Sequence, residues 1–205
     1  TVKFTKAGLY KESCAEDPDD VKMLDGVEFA LYEGTDTECE NPVMTATSVN
    51  GVVTFKDLKI GTYLVKESKT IGDYIIDNTV YTAEVTEANI DTYAVLNGVQ
   101  DNTLINDLPR TDLKIEKVAE ENNGIKLPNS VYGLYKENEN GEEELVAKAT
   151  TDSNGVLKFD GILIGTEYTI REIQAPDGYY VSEQPISIKF KKDENGKITV
   201  ESFDG

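Results

Sequence analysis

The sequence has no histidine, only two cysteines, and no apolar run long enough to cross a bilayer. The absence of histidine excludes the nucleophile–histidine pairs of common hydrolases, and two cysteines alone make a poor zinc-binding set. Neither a Gly-x-Ser-x-Gly nucleophile motif nor a glycine-rich phosphate loop is present. We therefore expect no ordinary enzymatic activity, no resident metal and no cofactor.

Basic residues are also scarce, with 20 Lys and Arg against 39 Asp and Glu, and the net charge is −19. Such an acidic surface repels nucleic acid and anionic membranes, so we expect neither as a partner. The chain starts at Thr1 without a signal peptide, and we interpret it as a mature or internal fragment.

The most informative feature that is present is an internal repeat. Residues 50–67 and 154–172 share an Asn-Gly-Val opening, an Ile-Gly-Thr segment and a Tyr-x-(Val/Ile)-x-Glu ending. A chain of 205 residues fits two domains of about 100 residues each, which we place at 1–108 and 109–205. Frequent Thr, Val, Ile and Tyr, recurrent Asn-Gly turns and the lack of a long helical period predict that both are all-β.

Strand alternation directs charged side chains into both predicted cores. In repeat 1, Glu67 has the same parity as Tyr63, and Lys6 ends an alternating apolar run. Repeat 2 places Glu172 and Lys117 in the same way. Buried lysine and glutamate are rare unless they are paired. Two explanations are open, a buried ion pair or a reaction between these groups and a third one.

The third group is Asn106, which shares a strand face with Leu104. In an apolar site a lysine amine loses its proton more readily, and the neutral amine attacks the asparagine side-chain carbonyl. A protonated glutamate polarises that carbonyl and shuttles protons, ammonia leaves, and an isopeptide bond remains. This chemistry makes Lys6, Glu67 and Asn106 the candidate site of repeat 1.

The segment from Tyr168 to Tyr179, Tyr-x-Ile-x-Glu-Ile-Gln-Ala-Pro-Asp-Gly-Tyr, resembles the E-box of Gram-positive pilins. Both repeats resemble Cna protein B-type domains of sortase-anchored pilins and surface adhesins. The resemblance implies two tandem Ig-like β-sandwiches of seven strands, in which a first-strand lysine bonds a last-strand asparagine under the influence of an acid. In repeat 1 the resemblance assigns the bond to Lys6 and Asn106 and the role of the acid to Glu67. In repeat 2 it assigns the lysine role to Lys117 and the acid role to Glu172.

Repeat 2 has no counterpart of Asn106. The offset between the repeats puts that position beyond Gly205, and Asn195 lies in a predicted hairpin turn between residues 186–190 and 198–200. Either the sequence stops before a last strand, or another segment or chain supplies that strand at an open sheet edge. In both cases we expect domain 2 to lack its last strand, and Lys117 to have its bonding partner beyond the chain end.

Both cysteines fall in loops of repeat 1. Cys14 lies in a connection that is longer than its counterpart in repeat 2, and Cys39 lies in the loop after the second predicted strand. We expect a disulfide between them that pins the insertion in an oxidising compartment. The alternative is two unpaired loop thiols.

A covalent bond between the first and last strands suits a protein that bears tension. We therefore interpret the chain as a stalk or shaft segment of a Gram-positive pilin or adhesin, extracellular and anchored to the cell wall. The resemblance implies other pilin subunits, or the cell wall through sortase, as partners. Two alternatives stay open, a ligand-binding adhesin domain for a host protein or glycan, and a spacer module of a secreted enzyme. The crosslinking itself is single-turnover and internal.

Overall fold

Strands form nearly all of the regular structure, and the all-β prediction is confirmed. The computed structural model describes residues 1–204, with the backbone alone at Asn123. Unit 1 comprises Thr1–Tyr10 and Asp20–Leu108, and unit 2 comprises Lys11–Asp19 and the chain from Pro109 onward. Across the described residues, no helix has the length and apolar character needed to span a bilayer.

Unit 1 contains eight strands among the described residues, one more than the resemblance implies. They are β1 (Val2–Leu9), β2 (Val21–Met23), β3 (Glu28–Glu33), β4 (Met44–Thr47), β5 (Val52–Phe55), β6 (Gly61–Lys69), β7 (Val80–Val85) and β8 (Thr103–Asn106). One antiparallel sheet has the order β4-β3-β6-β7. In the other sheet β1 pairs antiparallel with β2 and β5 and parallel with β8. The additional strand is the short β2, which follows the insertion.

The parallel pairing of β1 with β8 brings the two ends of unit 1 together. Lys6 lies opposite Leu104 in the ladder, and Gly8 lies opposite Asn106. A parallel neighbour requires a crossover, and here the chain leaves β7 and passes through a short 3₁₀ turn at Gln100–Asn102 before β8. The first and last strands are therefore adjacent.

Turn chemistry and core packing explain why unit 1 folds as a sandwich. Asn50 and Gly51 both have positive φ, 48° and 69°, which is the requirement of a two-residue type I′ hairpin turn. Alternate side chains of the flanking strands then enter one core between the sheets. The fully buried aromatic and aliphatic members of that core include Val2, Phe4, Phe29, Val53, Phe55 and Val65.

Unit 2 contains nine strands among the described residues. They are β9 (Arg110–Glu116), β10 (Val118–Ala119), β11 (Asn122–Lys126), β12 (Val131–Glu137), β13 (Glu143–Thr150), β14 (Val156–Leu163), β15 (Glu167–Gln174), β16 (Ile186–Lys192) and β17 (Ile198–Asp204). The large sheet has the order β13-β12-β15-β16-β17, and β14 pairs with β9. The last strand, β17, folds back on β16 through a turn at Asn195 and does not cross to β9.

The insertion of repeat 1 packs within unit 2. Backbone N–H of Ser13 donates to the carbonyl of Gly161 at 3.1 Å. Cys14 and Ala15 are partly buried against the unit 2 core. This segment, Lys11–Asp19, is therefore a structural part of unit 2 although it precedes most of unit 1 in the chain.

Candidate functional site

Lys6 lies in the middle of β1 with its side chain completely buried. Its N–H donates to the Gly51 carbonyl at 2.7 Å, and its carbonyl accepts from the Leu24 N–H at 3.0 Å. These bonds fix the strand, so the side chain follows the apolar parity that Val2 and Phe4 establish. Because water does not reach the Lys6 ammonium group, any compensation of its charge must come from neighbouring side chains in the core.

Glu67 from β6 and Asn106 from β8 meet Lys6 inside the core. The lysine Nζ donates to Asn106 Oδ1 at 2.5 Å, and Asn106 Nδ2 donates to Glu67 Oε1 at 2.7 Å. The other glutamate oxygen, Oε2, lies 3.3 Å from Nζ, within ion-pair range, but makes no hydrogen bond. Glu67 and Asn106 are each 2 % exposed. The structure thus brings the three sequence-predicted side chains into one closed triangle.

Aromatic side chains surround this polar triangle. The Phe4 and Phe29 rings meet edge to face with centroids 4.9 Å apart, and Lys6 Nζ lies 5.9 Å from the Phe29 centroid. Burial lowers the pKa of Lys6, and the opposing attraction of Glu67 does not overcome it. The Lys6 amine therefore loses its proton more readily than an exposed lysine does, which suits a nucleophile.

Residues of the loop after β6 and of β7 also lie at the site, and sequence reasoning missed them. Asn106 Nδ2 also donates to Thr70 Oγ1 at 3.1 Å, which orients the amide. Asp77 accepts from the Tyr81 hydroxyl at 2.6 Å, and its pKa is lowered because these hydrogen bonds outweigh the effect of its burial. Burial and this bond raise the pKa of Tyr81 to about 12.

Gly8 has a role that its sequence position does not reveal. It lies opposite Asn106 in the ladder, and the Tyr74 ring covers it. A Cβ at this position would collide with that ring and with Leu24 Cδ1, at 2.8 Å. The absence of a side chain at Gly8 therefore lets the loop after β6 close over the site.

Unit 2 contains the corresponding pair, Lys117 and Glu172, with Nζ and Oε2 3.2 Å apart. Glu172 Oε2 also accepts from the Ser182 N–H at 2.8 Å. Burial alone would lower the pKa of Lys117, but Tyr132 and Glu172 outweigh it and the pKa is raised. Here the lysine side chain is 20 % exposed. The pair is an ion pair at the boundary of the core.

No asparagine among the described residues completes the unit 2 pair. Glu172 Oε1 is buried and has no hydrogen-bond partner among these residues. Asn195 lies in the turn between β16 and β17, where its N–H donates to Asp193 at 2.9 Å. Among the described residues, the site in unit 2 therefore consists of the lysine and the glutamate without an amide partner.

The expected disulfide between Cys14 and Cys39 is wrong, because both thiols are free. Cys14 packs against the unit 2 core, whereas Cys39 contacts an apolar cluster of unit 1 formed by Ala30, Tyr32 and Leu64. Burial raises the pKa of the Cys14 thiol to about 11. Each cysteine is thus a small partly buried apolar group in a different unit.

The insertion is held by Glu12, a residue that sequence reasoning missed. Its carboxylate is 1 % exposed and accepts from the Tyr168 hydroxyl at 2.7 Å. Lys136 Nζ donates to both of its oxygens, at 3.1 and 3.0 Å. No local pattern marks this glutamate, since its partners lie more than 120 residues away in sequence, at separations of 124 and 156.

Two sandwich units with an inward Lys–Glu pair in each define a tandem pair of Cna B-type domains. The family whose description is "SpaA: Prealbumin-like fold domain" matches residues 15–99 and 111–204. The chain therefore belongs to the SpaA prealbumin-like fold domain family, in two copies. No curated protein matches the chain.

Solved structures agree with this assignment. The Bacillus anthracis TIE protein is 30 % identical over 93 % of the chain, with a TM-score of 0.60, and the chain spans 31 % of its length. A C-terminal fragment of the pilus adhesin SpaC from Lactobacillus rhamnosus GG is 19 % identical, with a TM-score of 0.52, over 100 % of the chain and 89 % of the fragment. The second likeness concerns the fold alone.

Proposed function

We propose that the chain is a stalk or shaft segment of a Gram-positive surface pilin or adhesin, and that unit 1 crosslinks itself through Lys6 and Asn106. The buried triangle carries this proposal, because Lys6 Nζ lies 2.5 Å from the Asn106 side-chain oxygen and both are shielded from water. An ion pair alone needs no asparagine at this place.

The two oxygens of Glu67 suit a proton shuttle. Oε2, at 3.3 Å from Lys6 Nζ, takes the ammonium proton, and the neutral amine attacks the Asn106 amide carbon. Oε1, at 2.7 Å from Asn106 Nδ2, delivers this proton to the leaving nitrogen, and Glu67 then takes the surplus proton from the attacking nitrogen. A C–N bond forms between the side chains, the original amide C–N bond breaks, and ammonia departs and carries the remaining proton away as ammonium.

The bond would protect unit 1 against tension. It joins β1 to β8 and closes a loop between residues 100 positions apart. A crosslink over such a loop stabilises by about 4 to 5 kcal/mol in the chain-entropy treatment. Force entering at β1 would pass through the bond to β8 without extending the strands between them.

Location and partners follow from this role. We infer an extracellular position, anchored to the cell wall, with other pilin subunits or the wall as sortase-linked partners. The family membership supports a pilus or adhesin context. The net charge of −19 favours a soluble, self-repelling segment.

Intact mass spectrometry of the purified, reduced chain tests the crosslink. We expect a mass lower than the sequence mass by one ammonia, with a branched Lys6–Asn106 peptide after digestion. Lys6→Arg should restore the full mass. The matched variant Lys117→Arg should keep the deficit, since no asparagine side chain among the described residues is paired with Lys117. A full-length mass for the unaltered chain would overturn the proposal.

Exposed aromatic residues favour a second candidate, a ligand-binding adhesin domain. Tyr180 is 97 % exposed, and its neighbours Tyr179 and Val181 are 40 % and 45 % exposed. Tyrosine side chains of this kind are frequent in protein recognition surfaces. Binding to a panel of glycans and host extracellular proteins that Tyr180→Ala abolishes would support this role, and a panel without any binder would count against it.

A further inference from the structure

A β-bulge at the end of β6 turns Thr70 toward the site of unit 1. The ladder between β3 and β6 pairs Phe29 with Glu67 but Glu28 with Lys69, so β6 has one extra residue at this point. Side chains three positions apart on an unbroken strand point to opposite faces. The extra residue shifts this alternation by one position, and Thr70 therefore faces the same side as Glu67.

Unit 2 has the same bulge but not the same side chain. Its ladder pairs Tyr132 with Glu172 and Val131 with Gln174, which again leaves one residue extra. The residue three positions after the glutamate is Ala175. The bulge is therefore common to both units, whereas the hydroxyl group that it directs inward is particular to unit 1.

The hydroxyl of Thr70 completes the hydrogen bonds of the Asn106 amide. The amide oxygen accepts from Lys6 Nζ at 2.5 Å, and the nitrogen donates to Glu67 Oε1 at 2.7 Å and to Thr70 Oγ1 at 3.1 Å. A side-chain amide has two N–H donors, so both of them are in use. Rotation of the amide by half a turn would place its oxygen beside the Glu67 carboxylate. The three bonds together therefore hold the carbonyl toward the lysine and the nitrogen toward the glutamate.

Thr70 is also the most exposed of the four groups. Lys6, Glu67 and Asn106 are each at most 2 % exposed, whereas Thr70 is only partly buried. The side of the amide nitrogen that faces Thr70 is therefore the side that lies toward solvent.

We propose that Thr70 is a positioning residue of the crosslinking reaction. Its hydroxyl oxygen holds one N–H of the Asn106 amide, keeps the leaving nitrogen beside Glu67 Oε1 until that nitrogen is protonated, and lies on the path by which ammonia reaches solvent. Thr70 gains and loses no proton, and the bonds that form and break are those already given for Lys6 and Asn106. This inference rests on the proposed crosslinking function.

The rate of bond formation in variants of the full chain tests the proposal. Cell-free synthesis with a short isotope pulse gives labelled chains that start without the bond, and intact mass spectrometry follows their loss of ammonia. Protease resistance of the same samples reports folding, so the rate is counted from the folded state.

We expect Thr70→Val, which keeps the shape but has no acceptor, to slow the loss of ammonia by about 3- to 10-fold, the effect of one hydrogen bond. Thr70→Ala, which gives unit 1 the residue found in unit 2, should slow it similarly. Thr70→Ser keeps the hydroxyl and should restore the unaltered rate. Thr45→Val, at an exposed position of β4, is the matched control and should have no effect.

The possible failures can be told apart. Equal rates in the unaltered chain, Thr70→Val and Thr70→Ala would overturn this inference and leave the proposed function standing. A Thr70→Ser variant as slow as Thr70→Val would also overturn it, because the methyl group and not the hydroxyl would then matter. No loss of ammonia from the unaltered chain would refute the proposed function, and this inference with it.

Discussion

Units 1 and 2 hold the same lysine–glutamate pair at nearly the same separation, 3.3 Å and 3.2 Å, but in different states. Lys6 is fully buried and its pKa is lowered by that burial, whereas Lys117 is 20 % exposed and its pKa is raised. Beside Lys6 lies the strand β8 with Asn106, and no counterpart of this strand is paired with β9 among the described residues. In unit 1 the pair is therefore a buried site with an amide carbonyl in place, whereas in unit 2 it is an ion pair at the boundary of the core.

The largest expected effect comes from removing the lysine of unit 1. Lys6→Met eliminates the crosslink, and we expect the free energy of unfolding of unit 1 to fall by about 4 to 5 kcal/mol or more. Calorimetry that resolves the two transitions measures it. Lys117→Met is the matched control, since both variants leave a buried carboxylate but only the first loses a bond. Equal losses in the two units would contradict the comparison.

Glu67→Gln separates the chemistry from the packing. Glutamine keeps the shape and the contact with Asn106 but carries no proton between the reacting groups. We expect crosslinking of unit 1 to slow by about 10²- to 10⁴-fold, the usual contribution of a general acid–base. The ammonia deficit, followed over time after refolding, reports the rate. Glu172→Gln should leave that rate unchanged, and complete crosslinking in freshly purified Glu67→Gln would disprove the shuttle.

Glu12→Gln should affect the other unit. The change weakens charged hydrogen bonds with Tyr168 and Lys136, at 2.7 and 3.0 Å, and bonds of this kind contribute about 1.5 to 3 kcal/mol each. We expect the unit 2 transition to shift down while the unit 1 transition stays in place. Glu16→Gln, an exposed position on the same segment, should change neither. A shift of unit 1 in place of unit 2 would refute the assignment of this segment.

Alkaline pH provides a smaller test. Burial and then Glu12 raise the pKa of Tyr168 in the folded state, so folding favours the protonated phenol. Stability is fully present below the unfolded tyrosine pKa of about 10 and is lost as pH rises above it. We expect unit 2 to weaken progressively from about pH 10 upward, and Tyr168→Phe to flatten this dependence. An identical slope in the variant would exclude Tyr168 as the cause.

The smallest expected effect is that of a reductant. Cys14 and Cys39 are free and pack in different units, so both thermal transitions should be the same with and without a thiol reductant. Thiol titration of the unfolded chain should count two groups. A non-reduced mass lower by two hydrogens, together with a thermal transition that the reductant shifts to lower temperature, would show that the disulfide between Cys14 and Cys39 forms.

Much of the site could be predicted from local pattern. The period of two along a strand determines which side chains share a face, and this rule alone directed Lys6, Glu67 and Asn106 inward. The repeat then located their counterparts Lys117 and Glu172. Each of these inferences depends on neighbours within a few residues, where steric rules are strong.

Other features depend on contacts that no local pattern encodes. Thr70 and Asp77 lie in an irregular loop, whose path is set by packing against β1 and not by periodicity. The Cys14 prediction failed for the same reason, because a longer connection shows that an insertion exists but not which surface it contacts. Glu12 is one of many glutamates in an acidic chain until its partners 124 and 156 residues away are in place.

By itself, the sequence determined that the protein is a tandem repeat of β-sandwich domains with a lysine and a glutamate directed into each core, since alternation and turn chemistry act over short distances. Tertiary structure alone decided that β8 lies beside β1 and places an amide between those charges, and that Lys11–Asp19 packs in unit 2. Those outcomes depend on which distant surfaces gain most by excluding water and pairing their polar groups. Such contacts join residues that are distant in sequence, so their free energy cannot be assigned to any one segment of the chain.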